Sequence, residues 1–141
     1  MAEEALIGYC GLYCEDCFSY TGEVADLARD LRKELRKVKF NEIAKEIPFK
    51  EFKHYEDCYQ CLGAMVKLRC KGCRAGSRSK FCNIANCVRK REYKGCWECG
   101  ELEECSKLKS LKSVHKDAHL KNLRIIRKDG EAEFIKGKRY W

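Results

Sequence analysis

The chain is 141 residues long, carries a formal net charge of +8 and contains 12 cysteines. Hydrophobic residues, the cysteines included, make up 45% and charged residues 37%, so the apolar share left without the thiols is lean for a self-sufficient core. No run of 18 apolar residues exists, which argues against a membrane span, and two Trp, seven Tyr and six Phe beside a single Pro argue against disorder.

The N-terminus, Met-Ala-Glu-Glu-Ala-Leu-Ile-Gly-Tyr-Cys, has no basic start, no apolar stretch of signal length and no small-residue cleavage site. The expected location is therefore the cytoplasm. Disulfides rarely persist there, so cysteine pairs are read as metal ligands in preference to disulfides or a redox dithiol. The length bounds the chain to one domain or two small ones, and without a low-complexity linker one domain over 1–141 is expected, made of three stretches: 1–57, with net charge −4; 58–105, with +5; and 106–141, with +7.

The first stretch opens on Cys10-x3-Cys14-x2-Cys17 among the aromatics Tyr9, Tyr13, Phe18 and Tyr20. Gly22 to Ile47 then reads as helix, because Val24, Leu27, Leu31, Leu35 and Val38 recur at helical steps with charges between them. Thr21 is the expected N-cap and Pro48 the stop, with Phe40, Ile43, Ala44 and Ile47 continuing the run or forming a second short helix. From Cys58 to Cys105 nine cysteines fall in 48 residues, punctuated by Gly63, Gly72, Gly76, Gly95 and Gly100, so loops and tight turns are predicted. The last stretch opens with a helical pattern in which Leu108, Leu111, Val114, Ala118, Leu123 and Ile126 share a face. Asp129-Gly130 supplies a stop, and Phe134, Tyr140 and Trp141 are expected to pack back on the core.

The predicted fold is thus a small metal-stapled domain. It is mainly α with irregular cysteine-rich loops, one long N-terminal helix and one C-terminal helix.

The cysteine spacing carries the chemistry. Zinc takes four tetrahedral ligands, and two residues between cysteines let one turn present both sulfurs. Cys58-x2-Cys61 and Cys70-x2-Cys73 are such pairs, Cys82-x4-Cys87 is a looser one, and Cys96-x2-Cys99 with Cys105 forms a further cluster. All twelve cysteines, with Cys10, Cys14 and Cys17, are candidate ligands for two or three zinc ions. One grouping that fits the count is Cys58/61/70/73, Cys82/87/96/99 and Cys10/14/17 with Cys105, although spacing alone leaves the partition open. With every thiol bound as thiolate to three divalent zinc ions, the net charge would fall to about +2, which weakens any inference from a basic chain to nucleic acid.

An iron–sulfur cluster is the rival cofactor, since it uses the same ligand type, and Cys10/Cys14/Cys17 is where iron would be sought. That motif resembles the cluster motif of radical S-adenosylmethionine enzymes, but this chain lacks the strand–helix alternation those enzymes need. His115 and His119 stand i, i+4 on the predicted C-terminal helix and are read as solvated residues of a Lys-rich stretch, and His54 as a surface or packing residue. Lys67, Arg69, Lys71, Arg74, Arg78 and Lys80, with Arg89, Lys90 and Arg91, are read first as compensating thiolate charge and second as a nucleic-acid surface, because only Phe81 and Tyr93 interleave them. Nothing in the pattern assembles a catalytic site, so an enzyme is not expected. The expected partner is an unidentified protein, with nucleic acid as a further candidate.

One ordered series has a wider resemblance: Gly8-Tyr9-Cys10-Gly11-Leu12-Tyr13-Cys14-x2-Cys17, then Cys70-Lys71-Gly72-Cys73, Cys82-x4-Cys87 and Lys94-Gly95-Cys96-Trp97-Glu98-Cys99-x5-Cys105. It resembles the bacterial and archaeal cysteine-rich family termed domain of unknown function 3795, and Ala118 to Trp141 is similar to that family's helical tail. The resemblance implies metal binding, with zinc as the expected metal, and no established activity. It implies ten shared ligand positions, Cys10, Cys14, Cys17, Cys70, Cys73, Cys82, Cys87, Cys96, Cys99 and Cys105, with Cys58 and Cys61 as an addition.

Overall fold

The computed structural model describes residues 3–76 and 81–141. Those residues are mainly helical and contain no strand. An isolated antiparallel bridge joins Ile7 to Tyr13. In chain order the α-helices are α1 (Phe18–Thr21), α2 (Glu23–Lys37), α3 (Phe40–Glu46), α4 (Tyr55–Val66), α5 (Asn83–Lys90), α6 (Ser106–Lys109), α7 (Lys112–His115), α8 (Ala118–Asp129) and α9 (Glu131–Lys136). Single 3-10 turns sit between them, several beginning on a cysteine. The chain divides into two compact units: Met1–Tyr20 with Cys70–Trp141, and Thr21–Arg69.

The Thr21–Arg69 unit packs α2 against α4, with α3 alongside. Its helical run is the predicted one, but broken at Val38 and Lys39, where Lys39 adopts left-handed backbone (φ 54). Gly22, also left-handed (φ 76), precedes α2 in the place where Thr21 was expected to cap it. The face α2 buries is likewise not the predicted one. Ala25 and Ala28 are buried, whereas Leu27 is 71% and Val38 51% exposed. The reason is close approach: a side chain at Gly63 of α4 would meet the Arg32 guanidinium at about 3.0 Å, and that guanidinium lies 4.2 Å from the centre of the Tyr59 ring. Small residues and a stacked cation therefore fill the interface. Phe40 against Phe52 and Tyr55, with centroids 5.3 and 5.2 Å apart, closes the other end.

The Met1–Tyr20 and Cys70–Trp141 unit is built on a small apolar core of Ile7, Tyr13, Ile84, Val88, Trp97, Leu102, Leu108, Leu123, Ile126 and Phe134. The face predicted from Leu108 to Ile126 contributes to this core, but not as one helix. Lys116, at φ 53 and ψ −115, breaks it between α7 and α8. Val114, which would have shared the face, is consequently exposed. Gly130 (φ 92) ends α8 where the Asp-Gly stop was expected, and α9 follows directly. Of the residues expected to pack back, Phe134 is fully buried and meets Tyr13 edge-on at 6.3 Å, while Trp141 stays 45% exposed. The tail is held by Asn122, fully buried, whose Nδ2 donates to the Tyr140 carbonyl at 2.8 Å and whose Oδ1 accepts from the Tyr140 N–H at 2.9 Å.

Two glycines let the chain pass close to this core. Gly11 has φ 89, and a side chain there would sit 2.8 Å from Leu123 Cγ. At Gly95 an added Cβ would lie 2.0 Å from the buried Trp97 ring. Two arginines then pin the backbone around the cysteines. Arg127 donates from Nε to the Trp97 carbonyl at 2.8 Å and from Nη2 to the Cys99 carbonyl. Arg74 donates from Nε to the Ile7 carbonyl at 3.0 Å and from Nη2 to the Lys94 carbonyl at 2.6 Å.

Candidate metal centre

All twelve cysteines are free thiols. Ten of them, the positions implied by the resemblance, lie in the Met1–Tyr20 and Cys70–Trp141 unit. Cys58 and Cys61 lie in the other. The tight turn expected at Cys58-x2-Cys61 is a turn of the continuous helix α4, where both thiols are exposed.

Seven of the ten lie on short turns or loops and the other three at or within helices. The segment Ile7–Tyr13 doubles back, with Gly8 N–H donating to the Leu12 carbonyl at 2.7 Å, and carries Cys10 at its tip. Cys14-Glu15-Asp16 is a 3-10 turn whose Cys17 N–H reaches the Cys14 carbonyl at 2.9 Å, and the corresponding turn at Cys96 returns the Cys99 N–H at 3.0 Å. Cys70 is tied by its N–H to the Ser19 carbonyl at 3.0 Å, which brings the second pair beside the first motif. Its sulfur accepts the Gly72 N–H at 3.4 Å, and Cys73 opens the next 3-10 turn. Cys82 stands just before α5, Cys87 within it, and Cys105 just before α6.

The thiols gather along two cavities. One, of about 440 Å³, is lined by Cys10, Cys17, Cys70, Cys73 and Cys82, with Tyr9, Phe81, Ile84 and Ala85 as apolar walls. The other, of about 360 Å³, is lined by Cys87, Cys99 and Cys105 with Arg91, Glu101, Glu104 and Lys107.

Electrostatics separates the thiols further. Cys14 is lowered from the usual 9.0 to about 6, chiefly by a hydrogen bond from Cys73 and also by the nearby Arg74 cation, against the opposing effect of burial. Cys73, the other partner in that bond, is pushed far up, and the charges of Cys10, Cys14 and Cys70 add to its burial. Burial lifts Cys10 to about 11. Burial also lifts Cys96 to about 12, helped by Cys10, Cys105, Cys87 and Cys99. A divalent cation bound by these thiols would hold them as thiolates, because a coordinated thiol is deprotonated outright.

Among the described residues, no three His, Cys, Asp or Glu side chains converge closely enough to hold a metal ion as they stand. The donor chemistry nevertheless fits a thiophilic ion: the cavities are lined by sulfur, and a cation accompanies each group. Arg91 Nη1 donates to Cys99 Sγ at 3.5 Å, and the charges of Cys87 and Cys99 raise its pKa. Arg74 stands beside Cys14 and stacks on Tyr9 at 4.5 Å.

The other basic residues singled out are spread across the fold. Arg69 pairs with Asp26 inside the Thr21–Arg69 unit, Arg89 donates to Asn86 Oδ1 at 3.1 Å, and Arg78 and Lys80 fall outside the described residues. His119, read as solvated, is 1% exposed: its ring donates to the backbone of Leu108 and its Nδ1 has no hydrogen-bond partner. His115 Nδ1 is also buried without a partner, and the ring meets Trp141 edge-on at 4.7 Å. Their Lys-rich neighbourhood gave no sign of the break at Lys116 or of the enclosure of His119.

A small helical protein with a thiol-rich unit is the class these features define. Residues 6–110, a span holding all twelve cysteines, match the family described as Protein of unknown function (DUF3795), and the chain belongs to that family. No curated protein and no solved structure matches it.

Proposed function

We propose that this protein is a metal-thiolate protein whose zinc ions are structural. The observation that carries the reading is the gathering of ten free thiols in one unit, eight of them along two cavities, around a core of eleven buried apolar or thiol side chains among the described residues. A core this small gains from cross-links that bind only the folded state. Because the thiols do not yet converge to coordination distance, ion uptake would draw them together and couple binding to the last steps of folding. Zinc supplies no redox chemistry. It would fix the turns at Cys14–Cys17, Cys70–Cys73 and Cys96–Cys99 relative to one another. The protein is taken to act in the reducing cytoplasm, where these thiols stay free.

An iron–sulfur cluster at the first cavity is the second reading, favoured by the spacing of Cys10, Cys14 and Cys17. Metal content and the visible spectrum of full-length protein, purified without oxygen or added metal, test both. Colourless protein with stoichiometric zinc supports the first. A brown chromophore with iron and matching sulfide supports the second. Metal-free protein that folds fully would sink both.

A further inference from the structure

We infer that α5 and α6 line an anion site: a cationic groove that takes a compact oxyanion, the phosphoryl group of a small ligand. The inference goes beyond the metal-thiolate reading and does not depend on it.

The site is a cavity of about 600 Å³ lined by Asn83, Asn86, Cys87, Lys90, Arg91 and Lys107. Its place follows from the period of α5. Ile84, Ala85 and Val88 are buried in the core, so Asn83, Asn86, Cys87 and Lys90 share the opposite face of the helix. Arg91 follows the helix end, and Lys107 comes from α6, which packs beside α5.

The lining is one-sided in charge. Two ammonium groups, a guanidinium and two amides line the groove, and among the described residues no Asp or Glu does. Arg91 is already engaged, with Nη1 on Cys99 Sγ at 3.5 Å and Nη2 3.7 Å from Glu101. Lys90 and Lys107 have no ion-pair partner among the described residues. Setting a Cys87 thiolate against Arg91 still leaves both ammonium groups unopposed. Arg89 Nη1 donates to Asn86 Oδ1 at 3.1 Å, so the amide nitrogen is the end Asn86 can offer a ligand. Donors of this kind, two of them charged, suit phosphate oxygens, with which they form charge-assisted hydrogen bonds.

The neighbours of the groove limit the ligand to a compact one. Cys87, Arg91 and Lys107 also border the adjoining cavity, where Glu101 and Glu104 stand. A polyanion running along this surface would meet those carboxylates. Among the described residues no aromatic side chain lines the groove to stack a base, as a single-strand nucleic-acid platform requires. A single phosphoryl group meets neither limit.

The test is a ¹H–¹⁵N NMR titration of the full-length protein, as purified, with inorganic phosphate against sodium chloride at matched ionic strength. Saturable shifts are expected at the amides around Asn83, Asn86, Lys90 and Lys107. Affinity should fall about tenfold in Lys90→Gln/Lys107→Gln. It should be unchanged in Lys45→Gln/Lys53→Gln, which removes the same charge from the Thr21–Arg69 unit. AMP as a second titrant separates the sources: tighter binding than phosphate points to a phosphate monoester, weaker binding to the free anion, and either supports the site.

Non-saturating shifts, the same shifts with chloride, or equal weakening in both double variants overturn the site. Saturable binding of a single-stranded oligonucleotide at these residues, with no response to phosphate, overturns the small ligand in favour of nucleic acid. Metal content read on the same samples keeps the two proposals apart. Metal-free folded protein that binds phosphate overturns the metal-thiolate reading alone. Metal loss from Lys90→Gln/Lys107→Gln, with no phosphate response in the wild type, assigns the lysines to offsetting thiolate charge and overturns the anion site.

Discussion

Gly95→Ala offers the sharpest test of how the core and the cysteine turns are joined. The added Cβ would lie 2.0, 2.4 and 2.4 Å from three atoms of the Trp97 ring, where ordinary carbon contacts begin near 3.4 Å. The ring would have to move by more than an ångström. It cannot do so cheaply, being 7% exposed with its backbone carbonyl held by Arg127. Overpacking of this kind costs about 1–3 kcal/mol. The strain would also reach the proposed ligands Cys96 and Cys99, because the Gly95 carbonyl accepts the Glu98 N–H at 3.1 Å within the turn that presents them. Denaturant unfolding of Gly95→Ala should therefore show a lower midpoint at unchanged slope, with faster loss of one metal ion to a chelator. Gly100→Ala is the control, since nothing lies within 4 Å of its Cβ position. Equal midpoints for wild type and Gly95→Ala, or an equal drop in both variants, would refute the reasoning.

Other outcomes follow from the same packing. Asn122→Ala orphans both the N–H and the carbonyl of Tyr140 and should cost about 2 kcal/mol, measured by chemical denaturation. Burial lowers the pKa of His119 below its usual 6.5. The unfolded chain therefore takes up the proton first as pH falls, so this contribution is complete above pH 6.5 and is lost as pH falls from there through the folded-state value. His119→Gln should flatten that part of the stability–pH profile, and an unchanged slope between wild type and variant would count against a buried neutral ring. Chelation of the purified protein should lower the melting temperature and reduce helical circular dichroism, both restored on adding zinc. Full retention of both signals would argue against structural metal.

Much of the helical content was legible in the sequence because it is local. The period of Val24 to Val38 marked α2, Pro48 followed the end of α3, and Asp129-Gly130 closed α8. The cysteine turns were legible for the same reason: two intervening residues suffice to return an N–H to the first cysteine's carbonyl, as Cys17 and Cys99 do. Family membership was readable from the ordered motifs. Breaks that depend on a single residue's φ, at Lys39 and Lys116, left no such mark, since nothing in a lysine's side chain announces left-handed backbone.

What the sequence by itself determined is therefore the thiol inventory and the local turns that display much of it. Tertiary structure decided which thiols share a cavity. The Ser19 carbonyl receives Cys70, so a pair far along the chain joins the N-terminal motif. α5 carries Cys87 toward Cys99 and Cys105 while Cys82, before the helix, faces the other cavity. It also decided that α2 buries alanines while Leu27 and Leu31 stay exposed, and that His119 is enclosed. Such outcomes depend on which surfaces approach closely, and close approach is set by small residues such as Gly63 and Gly11 opposite bulky ones. That complementarity is a property of pairs of distant segments, which no periodicity within either segment records.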